Sequence, residues 1–211
     1  MCYPQKTTLN KTNRPFKVLT YAECSKLLLT IANSGKTPTG KQIAFRNVAL
    51  TLLMLDAGLR VGEVVKLLWG DLFFNEQPVR NLEIRPAVAK LHIPRIIPVS
   101  YRLSEALRVY SIWCSPPAPL DPHSPAFIFF GSRKALTIRQ IQRIIRNASI
   151  SALGEAIHPH TLRHTFATLI LPKTNIRVVQ QLLGHSSLTS TQVYTHPNST
   201  DLREAIDSLG K

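Results

Sequence analysis

Cysteine and long apolar runs are both scarce in this sequence, and their scarcity excludes several classes of protein. The three cysteines, Cys2, Cys24 and Cys114, are odd in number and widely spaced. They therefore suit neither a disulfide framework nor a metal-binding motif, and a reducing cytoplasm is expected. Residues 1–15 contain no apolar core segment, which excludes an ordinary signal peptide. The longest apolar stretch, 48–55, is too short to span a bilayer and predicts a buried helix instead.

Acidic residues are also few, and the imbalance of charge indicates a polyanionic partner. Twelve Asp and Glu stand against 26 Lys and Arg in 211 residues, which gives a formal net charge of +14 and a pI near 10.2. Nucleic acid is the usual partner of such a chain. The alternatives are a basic surface that merely keeps the protein in solution and an anionic membrane, although no amphipathic basic helix is evident in the sequence. The length suits one substantial domain or two small ones.

The spacing of apolar residues predicts a mainly α-helical fold with a small antiparallel β-sheet, which is an α+β architecture. Thr20 and Glu23 form a capping-box pattern that begins a first helix. A core helix over 43–57 is expected to end at Gly58. A two-residue alternation between 79 and 99 predicts short strands. The remaining predicted elements are helices over 62–69, 103–113, 138–147, 161–171 and 176–183, a short helix carrying Tyr194, and a strand over 126–130.

Two patterns in the first half of the chain place a positive charge beside a turn. In AGLRVGE, over 57–63, Arg60 comes just after the predicted end of the core helix. Glu63 lies one turn further on, where it either orients Arg60 through an ion pair or is simply solvated. In AKLHIPR, over 89–95, Lys90 lies near the predicted strand turn, ahead of a proline and an arginine. Taken singly, such an arginine or lysine is most often a solvated surface residue. These two patterns therefore indicate a functional site only in combination with other patterns.

Two patterns in the second half add histidines, another arginine and a tyrosine. In HPHTLRHTFAT, His160 and Arg163 lie one helical turn apart on one face. In QQLLGHSSLTSTQVYTH, His185 follows a helix-ending glycine and Tyr194 comes nine residues later. The i, i+4 pair of His160 and His164 could suggest zinc, but there is no HExxH motif and no cysteine nearby, so a metal is not expected. His164 is interpreted as mainly structural.

These residue types together suit transfer of a phosphodiester. Two arginines can bind the non-bridging oxygens and stabilise the charge of the transition state. A tyrosine can attack phosphorus and hold it covalently, which conserves the bond for rejoining. Because its pKa is about 10, it needs neighbouring positive charge and a histidine acceptor to become reactive. A lysine is protonated at neutral pH and can supply the proton that the leaving 5′-oxygen requires.

The ordered set of patterns resembles the catalytic domain of the tyrosine recombinase (phage integrase) family, from about residue 18 to 196. The signature of that family is an Arg in a Gly-Leu-Arg turn, a strand-borne Lys, a His-x-x-Arg pair, a second His or Trp, and the Tyr. The flanking sequences Leu-Arg-His-Thr and Leu-Gly-His-Ser-Ser also match the family, as does the spacing of Lys90, Arg95 and Pro98. The resemblance implies six catalytic residues, with the tyrosine as nucleophile: Arg60, Lys90, His160, Arg163, His185 and Tyr194.

The resemblance also implies a function and a domain organisation. A family member is expected to be a site-specific recombinase that cleaves and rejoins DNA through a covalent 3′-phosphotyrosine intermediate, with no cofactor and no metal. Its partners would be double-stranded DNA with paired recombination sites, further copies of itself in a tetramer on DNA, and accessory DNA-bending proteins, but no membrane. The expected domains are a flexible basic arm over 1–17, a catalytic domain over 18–197 and a C-terminal tail helix over 198–211. The expected location is the bacterial cytoplasm, on the nucleoid or a plasmid.

The chain departs from the usual family pattern in two places. Only a short arm precedes residue 18, where most members carry a helical domain that grips the far side of the DNA. In its length and in its Ile-His-Pro-His sequence, the chain therefore resembles the catalytic-domain-only members, such as the invertases that switch fimbrial genes. The stretch LPKT, over 171–174, replaces the family's usual glycine-containing helix connection.

Two other classes of function are compatible with these residues. A non-catalytic DNA-binding protein built on a degenerate recombinase would keep the basic charge, but the intact set of six residues disfavours it. A type IB topoisomerase would relax supercoils with similar chemistry. The tail favours recombination, because its apolar residues lie on one face and similar enzymes dock such a helix into a neighbouring subunit; the alternative is that it packs on its own domain. The DNA site, and the choice among inversion, integration, excision and resolution, do not follow from the sequence.

Overall fold

Helices dominate the part of the chain that the structure, a computed structural model, describes: residues 17–89, 93–114, 121–128, 130 and 134–184. The helices are α1 (Tyr21–Ala32), α2 (Pro38–Leu55), α3 (Val61–Lys66), α4 (Trp69–Leu72), α5 (Tyr101–Cys114), α6 (Ile138–Leu153), α7 (Pro159–Ile170) and α8 (Ile176–Leu183). The strands are β1 (Phe73–Phe74), β2 (Gln77–Pro78), β3 (Asn81–Ile84) and β4 (Arg95–Pro98). The predicted mainly α-helical fold with small antiparallel sheets is confirmed.

The apolar helix α2 lies at the centre, packed against α1, α5 and α7. Its residues from Ala49 to Leu55 are all buried, which is why the sequence is apolar on nearly every side of the helix. The helix begins earlier than the predicted residue 43. Thr37 Oγ1 accepts a hydrogen bond from the Gly40 N–H at 3.0 Å, and Pro38 occupies the first helical position. Residues 37–40 therefore supply the cap and the first residues of the helix.

Two antiparallel hairpins stand where the sequence predicts one small sheet. β3 pairs with β4, with Leu82 opposite Ile97 and Ile84 opposite Arg95, which confirms the strands expected between 79 and 99. β1 and β2 form a second hairpin that was not predicted. Its two turn residues, Asn75 and Glu76, have φ of 46° and 62°, as the common two-residue hairpin turn requires.

Several predicted boundaries are wrong, each for a local reason. The helix expected over 62–69 is broken, because Leu67 is extended after α3 and the Trp69 N–H bonds to Ser124 O at 2.8 Å as α4 begins. The strand expected over 126–130 is only an isolated bridge between Ile128 and Ala135 within the described residues. Helix α6 runs six residues past its predicted end at 147, to the left-handed Gly154.

Two apolar clusters hold these elements together. The large one runs through α1, α2, α5 and α6, and both strands of the β3–β4 hairpin contribute to it. The small one joins α7 to α8 through Phe166, Ala167, Val179 and Leu183. The connection between these two helices, residues 171–174 in the sequence pattern, is a turn of 3₁₀ helix over Leu171–Lys173. Within the described ranges, no helix is long and apolar enough to cross a membrane.

Candidate active site

The structure describes half of the predicted site. Three predicted residues lie in the described part of the chain: Arg60, His160 and Arg163. Three lie outside the described residues: Lys90, His185 and Tyr194. The geometry of the site is therefore built from the start of α3, from α7, from β4 and from the carboxyl end of α8.

Arg60 is held by the turn that joins α2 to α3. Gly58 in that turn has φ of 63°, and a Cβ there would lie 2.5 Å from the ring of Phe166, so both the backbone and the packing require glycine. Arg60 follows as the N-cap residue of α3, and its N–H donates to Glu63 Oε2 at 2.8 Å. Its Nη1 lies 3.2 Å from Glu63 Oε1, while 19% of the side chain stays exposed. Of the two interpretations of Glu63, the ion pair is the one that is formed.

Arg163 reaches the same place from α7 and is buried, with 4% of the residue exposed. Its Nη1 donates to the carbonyl oxygen of Gly58, and its Nη2 donates to the carbonyl oxygen of Leu183 at 2.7 Å. Arg60 Nη1 also approaches the Leu183 oxygen, at 3.5 Å. Because one carbonyl oxygen faces both side chains, the two guanidinium groups lie side by side. Two adjacent guanidinium groups suit the binding of one phosphate group.

The two histidines of α7 have different surroundings. His160, directly after Pro159 in the first turn, is exposed, and His164 one turn later is half-buried, with their ring centroids 6.4 Å apart. Burial lowers the pKa of His164, and the charges of His160 and Arg163 lower it further. His164 therefore favours the neutral form, while His160 is accessible to a bound molecule. Among the described residues, no three His, Cys, Asp or Glu side chains are grouped as a metal ion would need.

A buried ion pair lies directly behind Arg60. Arg95, on β4, donates from Nη1 to Glu63 Oε1 at 3.0 Å and from Nη2 to Glu63 Oε2 at 2.8 Å. The side chains of Arg95 and Glu63 are only 3% and 2% exposed. Burial raises the pKa of Glu63, but the hydrogen bonds and charge of Arg95, together with Arg60, outweigh it and leave the pKa below its ordinary value. Glu63 is thus a carboxylate that bonds to two arginines.

The carboxyl end of α8 is where three arginines converge. Arg95 Nε donates to the carbonyl oxygen of Leu182 at 2.9 Å, one residue before the oxygen that Arg60 and Arg163 face. Carbonyl oxygens at a helix end carry partial negative charge and lack partners within the helix, so they attract cations. Gly184 then ends the helix with φ of 61°, and a Cβ on it would lie 3.0 Å from Arg95 Nη1. The predicted helix-ending glycine is confirmed.

Sequence reasoning missed Arg95 as a residue of this cluster, although a signal was present. Arg95 and Ile97 alternate with Ile96 and Pro98 along β4, and the structure buries the first pair and exposes the second. The alternation places Arg95 on the apolar side of the strand, beside Ile97. A charged residue on that side requires a buried partner of opposite charge. The partner, Glu63, is 32 residues away and could not be identified from spacing.

A basic helix face, which the sequence analysis did not find, lies on α6. Its inner side carries Ile141, Ile145 and Ala152, all buried. Its outer side carries Arg139, Arg143 and Arg146, all exposed. Within the described residues, none of these three arginines forms an ion pair. We call this stripe of three arginines the α6 basic face.

The family of the chain follows from its sequence once this geometry is known. Residues 17–201 match the sequence model of the phage integrase family. The chain belongs to the phage integrase family. The matched range contains all six predicted site residues, from Arg60 to Tyr194. The family resemblance predicted from the sequence is confirmed.

Relatives of this phage integrase family member include tyrosine recombinases from several bacteria. A tyrosine recombinase of Pseudothermotoga lettingae is 37% identical over 166 residues, which are 78% of this chain and 54% of that protein. The tyrosine recombinase XerC of Rhizobium meliloti is 36% identical over 195 residues, 90% of this chain and 57% of that protein. The chain thus spans about half the length of the curated relatives it matches. The resemblance to fimbrial-switch invertases within the family stays a prediction.

Solved structures of similar fold agree with the family. The crystal structure of XerA recombinase has a TM-score of 0.69 and 27% identity, and the match covers 91% of this chain and 64% of that one. XerH site-specific recombinase bound to its difH substrate in a pre-cleavage complex has a TM-score of 0.72, with 96% of this chain and 57% of that one covered. At 24% identity, the second likeness supports the fold alone. The predicted tyrosine recombinase catalytic-domain fold is confirmed.

Proposed function

We propose that this chain cleaves and rejoins DNA strands as a tyrosine-type site-specific recombinase. The observation that carries the proposal is the meeting of Arg60 and Arg163 at the carbonyl oxygen of Leu183. Two guanidinium groups held side by side supply positive charge where a phosphodiester under attack develops negative charge, and they are in place before the DNA arrives. The XerC and XerA relatives, which are named as recombinases, support this choice.

The proposed reaction exchanges one phosphoester bond for another. Tyr194 Oη attacks phosphorus while its proton passes to a histidine, His160 or His185. The bond to the 5′-oxygen breaks, Lys90 protonates that oxygen, and the products are a 3′-phosphotyrosine and a free 5′-hydroxyl. A 5′-hydroxyl from the partner strand then attacks the phosphotyrosine and releases Tyr194. Because the number of phosphoester bonds does not change, the reaction needs no cofactor, no metal ion and no external source of energy.

Double-stranded DNA with paired recombination sites is the proposed substrate. The net charge of +14 and the α6 basic face both favour a polyanion. We infer a catalytic domain over 18–197, preceded by the basic arm 1–17 and followed by the tail helix 198–211. We further infer a tetramer on DNA, accessory DNA-bending proteins, and action on the nucleoid or a plasmid in the bacterial cytoplasm. The tail residues lie outside the described part of the chain, so their packing stays a prediction.

A nicked suicide substrate tests the proposal, because its cleavage releases a short oligonucleotide and traps the covalent intermediate. The DNA site would be recovered from flanking genomic repeats or selected by binding from a random pool. We expect an adduct that survives denaturation with the wild-type chain, and none with Tyr194→Phe, which should still bind the DNA.

The matched control is Tyr101→Phe. Tyr101 is also a tyrosine, but it lies at the start of α5 and is 83% exposed. This variant should form the adduct at the wild-type rate. An adduct that persists in Tyr194→Phe would refute the assignment of the nucleophile.

A further inference from the structure

Arg95 links three parts of the site that are distant in the sequence. It lies on β4, it bonds to Glu63 in α3 with both Nη atoms, and it bonds to Leu182 at the end of α8 with Nε. Each of the three nitrogens of its guanidinium group therefore donates a hydrogen bond inside the protein, and the side chain is 3% exposed. Its partner Glu63 also bonds to Arg60, whose side chain is 19% exposed.

The geometry points to Arg95 as a positioning residue for strand cleavage. Arg95 fixes the position of Glu63 relative to the end of α8, and Glu63 in turn fixes the guanidinium group of Arg60. This inference rests on the proposed function. It adds a residue that touches no DNA and is nevertheless required for the rate of the chemical step.

The first argument for this role is electrostatic. Glu63 Oε1 accepts from Arg60 at 3.2 Å and from Arg95 at 3.0 Å, so the carboxylate is shared between two cations. Arg95 neutralises Glu63, which leaves the positive charge of Arg60 available to a phosphate. Without Arg95, Glu63 would pair with Arg60 alone, and its negative charge would oppose the binding of the phosphate there.

The second argument is geometric. Arg95 and Arg163 bind consecutive carbonyl oxygens, those of Leu182 and Leu183, and so fix the end of α8 from two sides. Arg95 also packs beside Gly184, the residue that precedes His185 in the sequence. In the sequence, Lys90 lies five residues before Arg95, in the connection between β3 and β4. One guanidinium group therefore anchors three segments that carry or adjoin predicted catalytic residues.

A stabilising role alone does not account for the arrangement. A buried ion pair contributes little more to stability than apolar residues of the same volume, because both charges lose their hydration. What a bidentate arginine does supply is a fixed orientation, since its planar fork bonds only in one geometry. A displacement of about 1 Å at a reacting group can cost on the order of 10²-fold in rate. The effect of losing Arg95 should therefore appear in the rate of cleavage rather than in DNA affinity.

The test compares Arg95→Met with Arg46→Met, because Arg46 matches Arg95 in burial and bonding. Arg46 is 4% exposed and donates three side-chain hydrogen bonds, two to Asn47 and one to the carbonyl oxygen of Ile128, and none to the arginine cluster. DNA affinity, melting temperature and the single-turnover rate of adduct formation at saturating DNA are measured below the melting temperature of each variant. We expect Arg95→Met to cleave about 10²-fold more slowly, with nearly unchanged DNA affinity, and Arg46→Met to cleave at the wild-type rate.

Two further variants keep the test decisive if Arg95→Met does not fold. Arg95→Lys retains the charge but not the fork, and should cleave at an intermediate rate. The double variant Glu63→Gln with Arg95→Met leaves no unpaired buried charge, so it should fold, and it should stay at least about tenfold slower than wild type because Arg60 has lost its fixed partner. Wild-type cleavage rates in the folded double variant, or a loss of rate equal to that of Arg46→Met, would overturn the inference. The proposed function would then still stand, since the wild-type chain forms the adduct; if the wild-type chain formed none, the proposed function itself would fail.

Discussion

The arginine cluster at the end of α8 and the α6 basic face use the same residue type in opposite ways. In the cluster, Arg95 and Arg163 are buried and their donors are bonded to protein oxygens. On α6, Arg139, Arg143 and Arg146 are exposed, and no described carboxylate pairs with them. Buried, bonded arginines have fixed directions and suit the stabilisation of a transition state. Exposed arginines contribute a field that salt screens and suit the attraction of a polyanion.

This contrast predicts that the two regions fail in different measurements. Substitutions in the cluster should slow cleavage at saturating DNA, and they should do so at any salt concentration. Substitutions on α6 should weaken binding, most of all at higher salt, while the rate at saturating DNA changes little. A variant of either region that behaved like the other would break the distinction.

The largest effect is expected from Arg163→Lys. Lysine keeps the charge but cannot bond at once to the carbonyl oxygens of Gly58 and Leu183 and to a phosphate. We expect a loss of about 10²–10³-fold in single-turnover cleavage, or about 3 kcal/mol of transition-state stabilisation. Arg108→Lys, on the exposed side of α5, is the control and should cleave normally. Near-normal cleavage by Arg163→Lys would show that a point charge is sufficient there.

The next effect concerns the glycine that supports Arg163. Gly58→Ala places a Cβ 2.5 Å from Phe166 at a φ of 63°, so both the ring and the backbone must shift. We expect a loss of about 2–3 kcal/mol in the free energy of unfolding, measured by urea denaturation. Gly154→Ala is the matched control, because Gly154 has φ of 78° but no atom within 4 Å of its Cβ position. Its free energy of unfolding should fall by only about 1 kcal/mol, because only the backbone is strained. Equal losses in the two variants would mean that the ring of Phe166 moves aside without destabilising the protein.

How much of these regions the sequence predicts depends on whether the signal is local. The helix that carries His160 and Arg163, and the glycine at 184 that ends α8, were correctly predicted because each is set by a few neighbouring residues. The core helix ends at Leu55, two residues before its predicted end, and Gly58 lies in the turn that follows. The four-residue spacing from Ile141 to Ile145 also marks the inner side of α6, and the basic outer side could have been found by the same count. The Glu63–Arg95 pair could not have been predicted from the sequence, since it depends on how β4 packs against α3. The β1–β2 hairpin was missed because its strands are only two residues long.

A smaller effect is expected on the α6 basic face. Replacing Arg139, Arg143 and Arg146 by Gln removes three exposed charges, and if each neutralises one phosphate, the slope of log K against log salt should decrease by about 2.7. The control is the replacement by Gln of three other exposed basic residues, Lys26, Lys36 and Lys41, which changes the net charge by the same amount. Binding is measured by fluorescence anisotropy at several salt concentrations. Equal slopes for the two triple variants would mean that net charge, and not this face, attracts the DNA.

The smallest effect concerns the pH dependence of stability. The pKa of His164 in the folded chain lies below its ordinary value of 6.5, mainly because of burial. The neutral ring therefore adds stability that is present above pH 6.5 and is lost as pH falls. The reason is that His164 binds a proton in the unfolded chain at a higher pH than it does in the folded chain. One such proton accounts for at most about 1.4 kcal/mol per pH unit. His164→Gln should flatten the fall in urea midpoint between pH 7.5 and 5.5, while the exposed His158→Gln should keep the wild-type fall. Identical profiles for His164→Gln and the wild-type chain would contradict this origin.

Mapping the covalent adduct tests the central claim most directly. The wild-type chain would be trapped on the suicide substrate, digested with protease and nuclease, and analysed by tandem mass spectrometry. We expect a single modified peptide in which Tyr194 carries a nucleotide through its 3′-phosphate, and we expect the same adduct in excess EDTA. A nucleotide on any other residue, a linkage through a 5′-phosphate, or cleavage only with a divalent metal would contradict the proposed mechanism.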